Sequence, residues 1–405
     1  MKIVFLTFTP LEYAGGFEKY LMRTARDLSL YPEIEINIVA FDNTRFTNII
    51  RKLLQLYYLK KISKELNSKE SGLDIQLELG PVAYVKVSSI RDLRAELIKY
   101  NLIYVKNELL DAFILKFILK YKKIPPVIFC CGTPIVYPDK SIRSMLRNYL
   151  YGGFIYKFLT TGVAAFHVKN ATDENKLTRM GARTHFTFNP LDTKSMAHQP
   201  TKVLKIHIPL DLGGLLERSE EYENISAKAG RFTILWTGRL TFQKGIDDLV
   251  EIIGKINDSE LQDRIRWIIL GDGEEKGKIV SLAAKWSNVF YYGHVKHEYI
   301  PTFLKTSQLF ISTSKWESFG QNILEAQVMD IPVISYNIPG PNEIVDNNVT
   351  GFLVNKQTEF IQRIREVVNQ KHDFKNIHAA MERKFSPEVI HPRLIHFFKE
   401  VIHGS

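Results

Sequence analysis

The amino-acid sequence predicts an α/β protein built from two parallel-sheet domains facing one another across a cleft. Three observations carry that prediction. The 405 residues are 45% apolar and 24% charged, which suits two or three domains with cores of their own and excludes disorder, collagen and coiled coil. Short apolar runs alternate with longer amphipathic stretches, the rhythm of strands returned through helices. That rhythm occurs twice, and between residues 189 and 230 it is interrupted by Pro190, Pro200, Pro209, the Gly213-Gly214 pair and the polar run Glu217–Glu223.

In chain order, the first half predicts strands at Lys2–Thr7, Glu35–Ala40, Val82–Val87, Leu102–Val105, Pro126–Cys130 and Gly162–Val168. Helices fall at Glu18–Leu30, Arg91–Tyr100, Leu109–Tyr121 and Ser141–Phe158. The second half predicts strands at Phe232–Thr237, Trp267–Leu270, Val289–Tyr292, Leu309–Thr313 and Pro332–Tyr336, with helices beginning near Lys244, Glu274, Ile300 and Gly320. Phe385-Ser386-Pro387 opens a last helix, Glu388–Ile402, which Pro392 is expected to bend. The expected division is 1–200, 201–384 and a terminal helix, 385–405.

The apolar run after Met1-Lys2, Ile3 to Phe8, is too short for a signal-peptide core and reads as a buried first strand. The longest apolar stretch, Tyr149 to Val168, is broken by Gly152, Gly153 and Lys157, so no membrane span is expected. Two adjacent cysteines, Cys130 and Cys131, cannot form a disulfide framework, and a cytoplasmic location follows.

The net charge of +10 is unevenly placed. Residues 1–200 carry 29 Lys and Arg against 18 Asp and Glu, whereas the remainder carries 25 against 26. The first half is therefore expected either to face something anionic or to carry solvated basic faces without a partner.

Three segments carry chemistry. Trp236-Thr237-Gly238-Arg239-Leu240-Thr241-Phe242-Gln243-Lys244-Gly245 follows a predicted strand and leads into a helix. Arg239 and Lys244 thus straddle a strand-to-helix turn, where ligands of open α/β sheets gather and a helix N-terminus favours anions. Glu317-Ser318-Phe319-Gly320 turns from a buried strand into a helix that carries Glu325. Those two carboxylates could accept hydrogen bonds from hydroxyls at opposite ends of a sugar nucleotide. Gly15-Gly16, after the first strand, lets backbone approach a ligand closely. Taken singly, each also reads as ordinary surface charge or a simple turn. Gly271-Asp272-Gly273 lacks the full dinucleotide-binding pattern, because Lys276 stands at the third glycine.

Together and in this order, the segments resemble the family 4 glycosyltransferases, which have the two-domain GT-B fold and mostly retain anomeric configuration. Gly15, Gly16 and Glu18 match the family's Gly-Gly-x-Glu loop. Gly238, Arg239, Leu240, Lys244 and Gly245 match its G-R-L…K-G element, and Glu317 and Glu325 its E-x7-E motif. Gly340-Pro341-Asn342-Glu343-Ile344-Val345 and Gly351–Val354 match two later segments, and Phe385-Ser386-Pro387-Glu388 resembles the segment that carries the last helix back to the N-terminal domain.

The resemblance implies a nucleotide-sugar donor, UDP- or GDP-linked. Arg239 and Lys244 would hold the diphosphate and stabilise its charge on departure. Glu317 would contact the sugar hydroxyls, with backbone N–H groups around Phe319 and Gly320 assisting. Glu325 would bind the ribose, Gly16 would approach the diphosphate, and Gly293-His294-Val295 would line the base. Fixed cations and helix dipoles make a required divalent cation or other cofactor unnecessary. Two departures stand out: Cys131-Gly132 where the family has His-Gly, and Gln243 for the usual Glu before the phosphate-binding Lys.

Residues 44–64 read TRFTNIIRKLLQLYYLKKISK, in which Arg51, Lys52, Lys60 and Lys61 flank an apolar stripe without an intervening acid. The pattern suits an anionic membrane interface and a lipid-linked or carbohydrate acceptor. It equally suits a helix packed on the N-terminal sheet; Lys140, Arg143, Arg147 and Lys157 favour the membrane. No nucleic-acid module is recognised. The expected protein is a peripheral glycosyltransferase of the inner membrane face. The competing readings are a non-catalytic glycan- or protein-binding subunit of the same fold and a sugar-nucleotide epimerase.

Overall fold

The structure, a computed structural model, describes residues 1–8, 11, 16–43, 79–106, 109–130, 154–168, 177, 202–205, 230–296, 299–317 and 319–403. The chain divides into two units, residues 1–206 with 393–405 and residues 207–392.

The first unit is built on seven parallel strands, β1 (Lys2–Thr7), β2 (Glu35–Phe41), β3 (Ala83–Val87), β4 (Leu102–Lys106), β5 (Val127–Cys130), β6 (Ala165–Val168) and β7 (Lys202–Lys205), ordered β3-β2-β1-β4-β5-β6-β7. Beta-branched and aromatic residues dominate the central strands, which are buried on both faces as parallel sheets require. Among the described residues, helices α1 (Gly16–Leu28), α2 (Ile90–Leu97), α3 (Leu109–Phe113) and α4 (Phe154–Thr160) connect them. Val4, Leu6, Ile103, Val105, Phe129 and Phe166 pack together on one face of the sheet. The alternating residues form the other, where Phe5 meets Tyr104 at 4.7 Å between ring centroids.

Two differences from expectation stand out. The helix expected over Leu109–Tyr121 leaves α geometry at Ile114 for a π-helical stretch, Ile114–Leu119, which ends where Lys120 takes a φ of 63°. Strand β7 escapes sequence reading because only Val203 and Leu204 are apolar between two lysines, the composition of an edge strand. The last helix runs from Pro387 to His403 and, as the sequence predicts, carries Pro392 inside it.

The second unit holds six parallel strands, β8 (Phe232–Thr237), β9 (Ile265–Leu270), β10 (Val289–Gly293), β11 (Leu309–Ser312), β12 (Val333–Tyr336) and β13 (Gly351–Val354), ordered β10-β9-β8-β11-β12-β13. Helices α5 (Ile246–Asn257), α6 (Lys276–Lys285) and α10 (Gln357–Val368) place Leu249, Ile279 and Phe360 against one face. Helices α7 (Ile300–Lys305), α8 (Gln321–Val328) and α11 (Ile377–Phe385) place Phe303, Ile323 and Met381 against the other. A short helix, α9 (Pro341–Ile344), precedes β13. Strand β13 was legible only as a motif: Gly351 passes so close to β12 that a Cβ would lie 2.1 Å from the Val333 carbonyl. Helix α12 (Pro387–His403) leaves this unit and, from Arg393 onward, belongs to the first. There Phe398 packs edge-on against Tyr104, 5.6 Å between centroids.

Candidate functional site

In the second sheet, chain order runs outward from β8 through β9 to β10 on one side and from β11 through β12 to β13 on the other. The reversal lies between β8 and β11, and the loops leaving their carboxyl ends flank the crevice where ligands of open α/β sheets bind. Those loops are Gly238–Gly245 and Thr313–Gly320, the two segments singled out by sequence.

Glycines set the shape of this edge. Gly245 adopts a left-handed φ of 67°, and a Cβ there would fall 1.9 Å from the Thr313 carbonyl oxygen, so only glycine lets the two loops touch. The Gly271 N–H donates to the Gly293 carbonyl at 2.7 Å and the Gly238 N–H to the Leu270 carbonyl at 3.1 Å, binding the ends of β8, β9 and β10 together.

The loops are cross-linked by polar contacts. The Thr313 hydroxyl donates to the Lys244 carbonyl at 2.8 Å and accepts from the Trp236 indole at 3.2 Å. The Lys315 N–H donates to the Gln243 carbonyl at 2.8 Å, and the Gln243 side-chain amide donates to the Trp316 carbonyl at 3.2 Å. Asn322, in the first turn of α8, donates to the Thr237 carbonyl at 2.9 Å and so pins that helix start to the end of β8. Within this frame the Lys244 ammonium donates to Glu317 Oε2 at 2.5 Å, with both side chains only 15% exposed. The Ser314 hydroxyl approaches the same oxygen at 3.4 Å.

The sequence-predicted residues are therefore placed as follows. Lys244 and Glu317 are brought into direct contact. Arg239 is exposed in the same loop as Lys244, with no side-chain partner among the described residues. Phe319 and Gly320 are buried, Gly320 at the α8 N-cap and the Phe319 ring against Phe385 at 5.7 Å. Glu325 is buried on α8. His294 is exposed just beyond β10, and Val295 is half-buried against the core. Gly16 opens α1 in the other unit. Gly15, Arg51, Lys52, Lys60, Lys61 and Cys131 lie outside the described residues. Cys130 is fully buried: the Tyr104 hydroxyl donates to its sulfur at 2.6 Å and sits 2.5 Å from His167 Nδ1.

Sequence reasoning missed Thr313, Ser314 and Asn322, which hold the loops without contributing charge. For Thr313 and Ser314, small polar residues directly after an apolar strand were the available signal. It also recorded Gln243 only as a departure, whereas its amide ties the two loops together. Among the described residues no cluster of His, Cys, Asp and Glu has the makings of a metal site.

Residues 217–384 match the family described as glycosyl transferases group 1, a span that contains both loops and both glutamates. That match lies within the second unit. An uncharacterised 41.2 kDa protein of the cps region of Klebsiella pneumoniae is 28% identical to this chain over 203 residues, 50% of this chain and 53% of the other. The capsular polysaccharide biosynthesis glycosyltransferase CapM of Staphylococcus aureus is 27% identical over 169 residues, covering 39% of this chain and 43% of CapM. The chain thus spans about half, or less, of the curated relatives it matches. HepE of Anabaena, solved with UDP and with UDP-glucose, is similar over 99% of this chain and all of its own, at 17% identity and TM-scores of 0.67 and 0.66. That likeness is one of fold, two α/β units and a long last helix, the GT-B class anticipated from the motifs.

Proposed function

We propose that the chain is a retaining glycosyltransferase that moves a sugar from a UDP- or GDP-linked donor to a carbohydrate or lipid-linked acceptor in cell-surface polysaccharide or glycolipid synthesis. The observation that carries this reading is the convergence of Lys244, Glu317 and the start of α8 at the switch point of the second sheet. The capsular relative and the UDP-glucose complex of the structural neighbour support the donor class and setting.

The chemistry follows from the side chains. In transfer, the bond between the anomeric carbon and the diphosphate oxygen breaks. The diphosphate leaves with the electron pair, an acceptor hydroxyl oxygen takes its place on the sugar, and the hydroxyl proton passes to the departing phosphate oxygen. Negative charge then grows on the leaving oxygens, where a lysine, an arginine and the unpaired N–H groups of a helix start stabilise it. On this reading Arg239, unpartnered and exposed, approaches the diphosphate first, and Lys244 exchanges the Glu317 carboxylate for phosphate. Glu317, released, accepts hydrogen bonds from sugar hydroxyls. Glu325 takes the ribose, and the backbone at Phe319 and Gly320 assists the diphosphate. His294 and Val295 flank the base. The acceptor and a membrane inner face belong to the basic first half, including Arg51, Lys52, Lys60 and Lys61.

A thermal-shift series with UDP, GDP and ADP and their common sugars tests the donor assignment. A nucleotide bound at a hundred times its Kd stabilises the native state by about 2.7 kcal/mol. One base should raise the melting temperature, its sugar conjugate should be slowly hydrolysed, and Lys244→Ala should abolish the hydrolysis while the protein stays folded. If no nucleotide stabilises the chain, the reading as a non-catalytic subunit of the same fold replaces this one.

A further inference from the structure

The first unit exposes four large hydrophobic side chains among its described residues: Leu30 at 76%, Ile98 at 60% and Phe117 and Phe158 at 46% each. They come from four separate segments, yet the topology gathers them. Leu30 follows α1 and precedes β2; Ile98 caps α2 before β4. Phe117 lies in the π-helical stretch before β5, and Phe158 in α4 before β6. In a parallel sheet each crossover helix starts from the carboxyl edge and returns the chain to the amino edge. All four therefore lie toward the amino edge, opposite the edge where ligands gather.

Charge differs along that edge. Near β1 and β2 it is paired: Lys2 with Glu35 at 3.1 Å, Lys99 with Glu96 at 2.6 Å and Lys399 with Glu33 at 3.5 Å. Near β5 and β6, residues 112–130 and 154–168 contain five lysines and no acid or arginine. One is structural. The Lys116 ammonium donates to the carbonyls of Phe158 and Thr161, closing the end of α4, and lies 4.4 Å from the Phe158 ring centre; burial holds its pKa below the usual lysine value. Lys120, Lys122 and Lys123 are exposed and have no ion-pair partner among the described residues. Beside them Phe113, Phe117 and Phe158 form a continuous aromatic patch, with ring centroids 5.0 and 6.0 Å apart.

We propose that this patch docks on an anionic phospholipid bilayer, with Phe117 and Phe158 entering the boundary between headgroups and acyl chains and Lys120, Lys122 and Lys123 meeting headgroup phosphates. The composition selects a bilayer over a folded or nucleic-acid partner. Arginine forks, which read carboxylate or phosphate geometry, are absent from both segments, whereas half-exposed rings ringed by flexible point charges need only apolar depth and negative charge. The proposal deepens the membrane-side reading above by naming a surface, and it rests on that reading. Its residues are none of those assigned to the donor, so either reading can fail alone.

The test is flotation of the full chain with vesicles of phosphatidylcholine alone and of phosphatidylcholine with phosphatidylglycerol, each at low and high salt. Wild type should prefer the anionic vesicles, and high salt should weaken binding. At roughly fivefold in partitioning per lysine, Lys122→Glu with Lys123→Glu should lower binding more than twentyfold. Phe117→Ser should lower it at both salt concentrations, and Phe117→Trp should give fluorescence quenched by brominated lipid. Melting curves and donor-induced stabilisation should be unchanged in all three variants. Lys60→Glu with Lys61→Glu is the comparison. Should that pair abolish binding while the patch variants bind like wild type, the surface is wrongly assigned. Failure of wild type to float with anionic vesicles overturns the docking, and loss of nucleotide stabilisation in wild type would instead overturn the donor reading. Retention of a protein or nucleic acid by the patch, without vesicle binding, also overturns it.

Discussion

Two charged regions of this chain differ in how their cations are held. At the switch point of the second sheet, Lys244 is mostly buried and already joined to Glu317, inside loops cross-linked by Thr313, Gln243 and Asn322. At the amino edge of the first sheet, Lys120, Lys122 and Lys123 stand in solvent beside exposed phenyl rings. A cation that is desolvated and aimed demands a frame, and its removal should be felt in chemistry. A cation left in water demands nothing of the fold, and its removal should be felt only in association. The family match covers the first region and not the second.

The contrast is broken most directly by removing the framed cation. On the proposed reading, Lys244→Ala should lower donor turnover by about a hundredfold to a thousandfold, the range for losing one preorganised donor to a developing oxyanion. Circular dichroism and the melting curve should show the variant folded, since Lys244 closes no core. Lys122→Ala should leave turnover on a soluble acceptor unchanged. Equal losses from the two substitutions would erase the distinction.

The frame itself can be tested at Gly245. Alanine there combines a left-handed φ of 67° with a Cβ 1.9 Å from a backbone oxygen that cannot step aside. A loss of about 3 kcal/mol is expected, which for a unit of this size lowers the melting temperature by about 10 °C. Gly254→Ala, in the helix that Gly245 caps, is the control: nothing lies within 4 Å of the added carbon, and helix propensity should make it neutral or stabilising by about 0.5–1 kcal/mol. If both variants melt alike, close approach of the loops does not govern this edge.

How far the sequence could be read follows the same division. The strand-helix rhythm revealed both sheets because buried parallel strands are nearly continuous apolar runs, and a run such as Phe232–Thr237 fits few places but the interior of a sheet. Strand β7 was invisible because an edge position lets lysine replace apolar residues. The π-helical stretch at Ile114–Leu119 was invisible because its residues suit an α-helix equally well. At the site, Arg239, Lys244, Glu317 and Glu325 were legible as charge at fixed spacing around turns. What spacing could not convey was that Lys244 and Glu317, seventy-three residues apart, meet each other. Nor could it reveal the aromatic patch, whose Phe117 and Phe158 become neighbours only through the packing of two helical segments.

That meeting leads to the smallest and sharpest expectation. A carboxylate on Lys244 occupies the position a phosphate would need, so any diphosphate must displace it. Glu317→Gln keeps the shape of the side chain and its capacity to hydrogen-bond, but removes the competing charge. Binding of inorganic pyrophosphate, which carries no base or sugar, should tighten by about tenfold, equivalent to ~1.4 kcal/mol. Turnover of the donor should fall, because the neutral amide accepts sugar hydroxyls less strongly than a carboxylate. Arg239→Gln supplies the opposite sign, since it removes a cation with no internal partner, and should weaken pyrophosphate binding. Calorimetric titration of the two variants against wild type decides the matter. If Glu317→Gln binds pyrophosphate as wild type does or more weakly, the ion pair is not a placeholder for the ligand. Lys244 would then be held by Glu317 for the sake of the loops alone, and the two cations would no longer differ in the way their partners suggest.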